Sequence, residues 1–278
     1  MSSSLNCWKT ANFTYMKALG IDVGSLTTKA VILDNGAILA SSIIPSEDEA
    51  ELSAKSVIQK TLNQAGISST DDFYIVSTGA GGKSVSLSQQ PKSLTTCLAR
   101  GVHHLYPSVR MAIDMGAESS TVIKVNDRGR LNDWINQDKC AAGTGIFLQQ
   151  MAKLMQVPLE EMAKLSLQAK SRADIASTCA VFAESEVISH VHREPPTPRE
   201  DIVAGIYFSV VTRIISMCKR IGIEKDVAVI GGVALNSGLV KILEAELGVE
   251  VLVPEMPQIV AALGAAVIAQ ENIEKGAS

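Results

Sequence analysis

Residues 18–39, ALGIDVGSLTTKAVILDNGAIL, run through an apolar stretch to Asp22, a turn at Gly24-Ser25, a β-branched stretch, and a second turn at Asn35-Gly36. Short apolar runs bounded by turn residues read as strands, and Asn-Gly is a strong hairpin dipeptide. The stretch therefore predicts a three-stranded meander over 18–23, 28–33 and 37–44. Residues 109–134, VRMAIDMGAESSTVIKVNDRGRLNDW, repeat the plan: apolar run, Asp114, one residue, Gly116, a β-branched strand and a glycine-containing turn. The two aspartates are 92 positions apart (22 to 114). A unit repeated at that distance, each copy followed by helices, predicts an α/β fold of two similar domains facing one another.

Outward from the first repeat, apolar positions at Leu52, Val57, Ile58, Leu62 and Ala65 predict a helix over 47–65 that ends at Gly66. A strand over 73–77 then runs into the glycine turn TGAGG. After the second repeat the pattern predicts helices near 145–155, 158–169, 181–191 and 199–221. A strand at 226–230, a helix at 238–246, a strand at 249–253 and a helix at 259–273 follow. The last helix has no sheet partner of its own and is expected to cross back over the first domain. The domains are thus expected at 16–108 with 259–278, and at 109–258. Residues 1–15 read as a disordered extension, with Met16 as an alternative start.

The chain has 278 residues, a formal charge of −4 and 46% hydrophobic residues. That is ample for a packed core. No lysine- or arginine-rich patch offers a nucleic-acid footprint. No apolar run reaches the roughly 20 residues of a membrane helix, and the first residues lack a secretory pattern. The five cysteines, at 7, 97, 140, 179 and 218, are odd in number and widely spaced. This is not a disulfide framework, and it points to a reducing, cytoplasmic setting.

A strand-end aspartate can hold a magnesium ion, and the turn after it presents N–H groups to phosphate. One Asp-x-Gly is an ordinary hairpin turn, whereas Asp22 and Asp114 recur at the same place in a repeated unit. Ser25, Thr27 and Thr28 add hydroxyls beside the first turn, and Lys29 is expected on an exposed strand position. IGGVALNSG, residues 230–238, is a further glycine turn between a strand and a helix. Its Gly231-Gly232 pair would allow close approach of a flat or anionic ligand. Such turns also serve tight packing. Taken together, the three turns fit a nucleotide held in a cleft between the two domains.

Asp22-Val-Gly24-Ser25, Asp114-Met-Gly116 and Gly231-Gly232-Val-Ala-Leu-Asn236 resemble the two phosphate loops and the adenosine loop of the sugar kinase, heat-shock chaperone and actin superfamily. The resemblance implies duplicated ribonuclease H-like domains and an ATP site that includes Thr27 and Lys29. DKCAAGTG (138–145) and STCAVFAESEVISH (177–190) narrow it. They resemble the ATP-dependent activators of 2-hydroxyacyl-CoA dehydratases and the ATPase subunits of benzoyl-CoA reductase, over about Met16 to Gln270. By spacing alone Cys140 and Cys179 read as buried packing cysteines as readily as ligands. With the resemblance, they are expected to ligate a [4Fe–4S] cluster. No CxxC is present, so two thiolates per chain would make four at a dimer axis. Each cysteine is expected at a helix start, where the partial positive charge favours thiolate. Gly143, Thr144 and Gly145 are read with the cofactor-binding set.

The resemblance further implies an electron accepted from a ferredoxin- or flavodoxin-like donor and passed to a client dehydratase or reductase with its own iron–sulfur sites. ATP between the domains would rotate them and move the helices near Cys140 and Cys179. The second phosphate loop departs from the activator pattern, with Ala117 for a glycine and Glu118 for an amide. Glu118 joins Asp22 and Asp114 as a catalytic candidate: it would either repel the γ-phosphate or orient the attacking water. Acidic variants resemble one of the two unlike benzoyl-CoA reductase ATPase chains, so the partner is either a second copy or a homologous subunit. Cys97 and Cys218 are expected in the core, His190 and His192 at a solvated helix end, and Glu184 and Glu186 in polar contacts near the helix start. The alternatives are an amino-sugar-type kinase, which needs no iron, and a nucleotide-dependent scaffold.

Overall fold

A computed structural model of the chain describes residues 16–137 and 144–276. The chain divides into two compact units, one from residues up to Gly101 together with Ala261 onward, the other Val102–Val260.

In the first unit, β1 (Lys17–Val23), β2 (Thr27–Asp34) and β3 (Ala37–Pro45) form the expected meander. Helix α1 (Ala50–Ala65) follows and ends where Gly66 turns left-handed. The chain then returns through β4 (Phe73–Thr78), which pairs parallel to β1, and the short β5 (Gln90–Pro91). The sheet order is β3-β2-β1-β4-β5. Central β1 is buried along nearly its whole length, as a strand with a parallel neighbour requires. Its Leu19 and Ile21 pack with Ile32, Ile75 and the Val57, Ile58 and Leu62 face of α1. Helix α2 (Leu94–Leu105) completes the run, with Cys97 buried in it.

The second unit repeats this order. β6 (Met111–Met115), β7 (Ser120–Val125) and β8 (Leu131–Gln137) form the second meander. β9 (Val227–Ile230) pairs parallel to β6, β10 (Val251–Leu252) pairs parallel to β9, and the order is β10-β9-β6-β7-β8. The duplication therefore covers five strands, not three. Between β8 and β9 lie α3 (Gly145–Met155), α4 (Leu159–Gln168), α5 (Ala180–His192) and α6 (Arg199–Ile221). Between β9 and β10 lies α7 (Ser237–Leu247). The expected strand over 249–253 shrinks to two residues because the positive-φ Gly248 closes α7 immediately before it.

Helix α6 holds no unbroken apolar run of twenty residues, since Thr212 and Arg213 interrupt it. It is the one described helix long and apolar enough by length and composition to cross a membrane, yet 72% of its apolar window is buried inside the protein. Tyr207, Ile206, Val210 and Ile214 of α6 pack in one core with Ile113, Met115, Met151 and Leu239. A helix buried almost all round is apolar almost all round. The last helix, α8 (Val260–Gly276), joins the first unit. There Gln270 accepts the Gly36 N–H at 3.1 Å, Asn272 donates to Gln90 at 2.9 Å, and Arg100 pairs with Glu271.

Ile113 lies at the centre of β6 and is fully buried. Ile113→Ala is expected to destabilise the protein by about 2–5 kcal/mol. The check is a lower urea midpoint with an unchanged slope.

Candidate functional site

Both strand-end aspartates are built the same way. The turn after Asp22 closes with the Gly24 N–H donating to Thr27 O at 3.2 Å; the turn after Asp114 closes with the Gly116 N–H donating to Ser119 O at 2.9 Å. The parallel neighbour of each strand then leaves the sheet through a glycine lying against the carboxylate. Gly79 follows β4 with φ +86°, and Gly231 follows β9 with φ +87°. A Cβ on Gly79 would come within 2.4 Å of Asp22 Oδ1 and of Val23 O. One on Gly231 would come within 2.6 Å of Asp114 Oδ1 and 2.5 Å of Met115 O. No L side chain fits either place, so each carboxylate is held under a bare stretch of backbone. The TGAGG turn in the sequence is thus the counterpart of Gly231-Gly232, an equivalence that the constant spacing of the two meanders did not reveal.

The two aspartates differ in what faces them. Lys29 stands directly across the hairpin from Asp22, and its ammonium donates to Asp22 Oδ2 and to Thr27 O, both at 3.1 Å. Its side chain is only 14% exposed. This corrects the expectation of an exposed strand position: a lysine opposite a buried carboxylate is drawn onto it. The same cross-strand place opposite Asp114 is Thr121. Thr28 is turned inward, bonded to Ser46, whose hydroxyl donates to Gly24 O at 2.7 Å. Ser25 and Leu26 at the tip of the turn are exposed, with Thr27 half-buried beside them. Glu118 is exposed at the tip of the second turn.

In the second unit the turn is tied to a helix. The first two N–H groups of α3 donate into it, Gly145 to Gly116 O and Ile146 to Ala117 O, each at 3.0 Å. Thr144, the N-cap, is almost wholly buried. So Thr144, Gly145, Gly116 and Asp114 gather at one place, with Gly231 over the carboxylate and Val233 beside Gly145. The first two backbone N–H groups of this helix are thereby committed to the turn. Helix α3 starts five positions after Cys140; Cys140 and Gly143 lie outside the described residues.

Asn236 carries two structural bonds. Its Oδ1 accepts the Leu239 N–H at 3.0 Å, capping α7, and its Nδ2 donates to the Tyr207 hydroxyl at 2.5 Å. Burial pushes the Tyr207 phenol up to about 12. The Asn236 side chain therefore fixes the turn from within, and Gly232, exposed at the turn's start, has only Gln258 Nε2 near the place of a Cβ, at 3.7 Å.

Cys179 is the N-cap of α5 and is partly exposed. The Phe182 and Val181 N–H groups of the first turn hold its thiol below the ordinary value, with a smaller contribution from the Arg213 charge. No regular cap hydrogen bond closes there, so the lowering reflects the field of these N–H groups at the open helix end. Val181 and Phe182 themselves are 65% and 61% exposed. Cys97 and Cys218 are fully buried, and burial raises both thiols to about 12. Only Cys179, among the described cysteines, has the exposure and thiolate bias of a ligand to iron. His190 Nδ1 lies 3.0 Å from the Thr197 hydroxyl and its Nε2 3.3 Å from Asp174 O, while Glu186 accepts the Ala176 N–H at 2.5 Å.

Nearly the whole chain has counterparts among known proteins. A family model described as the BadF/BadG/BcrA/BcrD ATPase family matches residues 19–269. The 2-hydroxyisocaproyl-CoA dehydratase activator of Clostridioides difficile is 41% identical over 260 residues, which is 94% of this chain and 97% of that one. One of the benzoyl-CoA reductase chains of Thauera aromatica is 32% identical over 231 residues, covering 81% and 80%. The solved structure of the activator of the 2-hydroxyisocaproyl-CoA dehydratase from Clostridium difficile with bound ADPNP superposes with a TM-score of 0.87, covering 94% of this chain and 96% of that one. The fold is that of the two-domain actin-like ATPases. The chain belongs to the BadF/BadG/BcrA/BcrD ATPase family.

Two outcomes check the geometry. Gly79→Ala and Gly231→Ala should each weaken nucleotide binding and destabilise the protein by about 1–3 kcal/mol. Gly36→Ala is the control. It also has positive φ, +79°, but open space around its Cβ, so it should leave nucleotide binding unchanged. In metal-free protein, iodoacetamide should label Cys179 at a lower pH than an ordinary exposed thiol, because the first-turn N–H groups of α5 lower its pKa. Cys97 and Cys218 should stay unlabelled until unfolding, as read by peptide mass spectrometry.

Proposed function

We propose that this chain is an ATP-driven, one-electron reductase of the dehydratase-activator kind. The observation that carries the reading is the joint between the second turn and α3. The turn that would sense the nucleotide is hydrogen-bonded through Gly116 and Ala117 to the helix that begins five positions after Cys140. In this reading Asp22 and Asp114 hold Mg2+, directly or through water, while the turns Gly24–Thr27 and Gly116–Ser119 receive phosphate oxygens. The Gly231-Gly232 turn receives the adenosine. Glu118, exposed at the tip of the second turn, would orient the attacking water or, without the metal, repel the γ-phosphate.

The residues fit an iron–sulfur group. Cys179 is a partly exposed, thiolate-biased cysteine at an open helix end, and Cys140 would be the second ligand per chain, with a [4Fe–4S] cluster completed by the same pair from a partner. When bound, that cluster supplies low-potential one-electron transfer. The protein's own part is to bind ATP, keep the two thiolates oriented and carry the change at the turn into α3. Exposed Val181 and Phe182 beside Cys179 are apolar surface that a partner chain, a second copy or a homologous subunit, would cover. The client is a 2-hydroxyacyl-CoA dehydratase or benzoyl-CoA reductase type enzyme, the electron source a ferredoxin or flavodoxin, and the setting cytoplasmic and anaerobic. A small-molecule kinase of the same fold is not favoured, because the extended identity is with dehydratase activators.

The test is iron and acid-labile sulfide on protein purified without oxygen, alongside Cys140→Ser and Cys179→Ser. About four irons per dimer, lost in either variant, is the expected result. An iron-free wild-type protein that still binds ATP would overturn the proposal.

A further inference from the structure

The segment 169–178, which joins α4 to α5 and delivers Cys179, is laid along one side of α6. The Asp201 carboxylate accepts the Lys170 and Ser171 N–H groups at 3.0 Å and the Ser171 hydroxyl at 2.8 Å, and Asp201 O accepts the Ala173 N–H at 2.9 Å. One turn on, Gly205 lets the segment lie so close that a Cβ there would be 2.3 Å from Ala173 O. The Arg172 guanidinium stacks 3.4 Å from the ring centre of Phe208. Further along, Arg213 donates to both Ser177 O and Thr178 O. Positions 201, 205 and 208 thus follow one side of the helix, and Arg213 lies further round it as the segment wraps α6. From the opposite side, Glu186 and His190 of α5 take Ala176 N–H and face Asp174 O.

The last contact along α6, from Arg213, acts on the cysteine itself. A peptide unit is planar, so pinning Thr178 O fixes the plane that contains the Cys179 nitrogen. Together with the φ of −142° at Cys179, that sets the direction in which its side chain leaves the backbone at the start of α5. A guanidinium is the right group: it presents paired N–H donors in a rigid fork and does not lose its charge. Lysine would keep the charge and could satisfy one carbonyl, but not hold two at once.

Resting on the function proposed above, we infer that Arg213 is the positioning residue of the cluster ligand Cys179. Its fork holds the Ser177-Thr178 backbone so that the thiolate stays aimed, and its fixed charge stabilises the added electron.

The experiment uses full-length protein prepared without oxygen, as wild type, Arg213→Met and Arg213→Lys. Three quantities are read: the rate of iron loss to an iron(II) chelator, the midpoint potential of the cluster, and hydrogen exchange of the 176–182 amides in metal-free protein. Arg213→Met is expected to lose iron about ten- to a hundredfold faster, to show a more negative midpoint potential, and to exchange faster over 176–182. Arg213→Lys is expected to return the potential towards wild type while iron loss stays fast, which separates charge from fork. Wild-type iron retention and potential in Arg213→Met would overturn the inference. Should Arg213→Met not fold, iron loss at the wild-type rate in Arg213→Lys overturns the fork. Should wild-type protein hold no iron, the function proposed above falls; unchanged exchange over 176–182 in the variants then separately overturns the positioning role.

Discussion

The structure depends on a steric constraint met twice: a parallel strand must leave the sheet where its neighbour's terminal aspartate sits. β4 leaves beside Asp22 and β9 beside Asp114, and in each case only a glycine at φ near +87° fits over the carboxylate. That constraint fixes the depth of both aspartates and the direction of the turns after them. It also explains why the repeated element is a five-stranded sheet. The antiparallel hairpin supplies the aspartate and its turn; the parallel strand supplies the backbone that covers it.

On this shared frame the two units carry different content. The first sets a lysine across from its aspartate, so the carboxylate has a cation of its own within hydrogen-bonding distance. The second places a threonine at that cross-strand position and ties its turn to α3 instead. It also carries four helices between its third and fourth strands where the first carries one. The cysteine helix belongs to that enlarged part, and α6, buried on nearly every side, is the spine that the cysteine-bearing segment lies along. One unit has thus remained close to a plain sheet with helices. The other has gained a layer whose elements all touch either the turn or the Cys179 segment.

The sequence made the meanders legible because each spans fewer than thirty residues and keeps one spacing between aspartate, glycine and strand. Helix limits were equally plain where glycine ended them, as at Gly66. The equivalence of Gly79 with Gly231 was hidden: the inserted helices stretch the interval to 152 positions (79 to 231), against 92 for the aspartates. Lys29 was recoverable in principle, since the hairpin register sets it opposite Asp22, but alternation alone suggested an outward side chain. Arg213 left no local signal. It stands 34 positions from Cys179 (179 to 213) in a run that reads as core helix, and its role exists only once that helix lies beside the loop. Asn236 gave a signal for ligand contact, whereas its side chain is occupied in capping α7 and bonding Tyr207.

The discontinuity of the first unit bears on how the protein is made. Its sheet leaves the ribosome before the second unit, yet α8, which packs into that first unit, follows only after the second unit. The second unit is one unbroken stretch and has all its strands before α8 emerges. Throughout synthesis of the second unit, the apolar surface that Ala262, Leu263, Ala265 and Ala266 cover in the finished protein lacks its cover. The nascent chain therefore carries an uncovered apolar face while the whole second unit is made, an exposure that belongs to folding and not to the stability of the final fold.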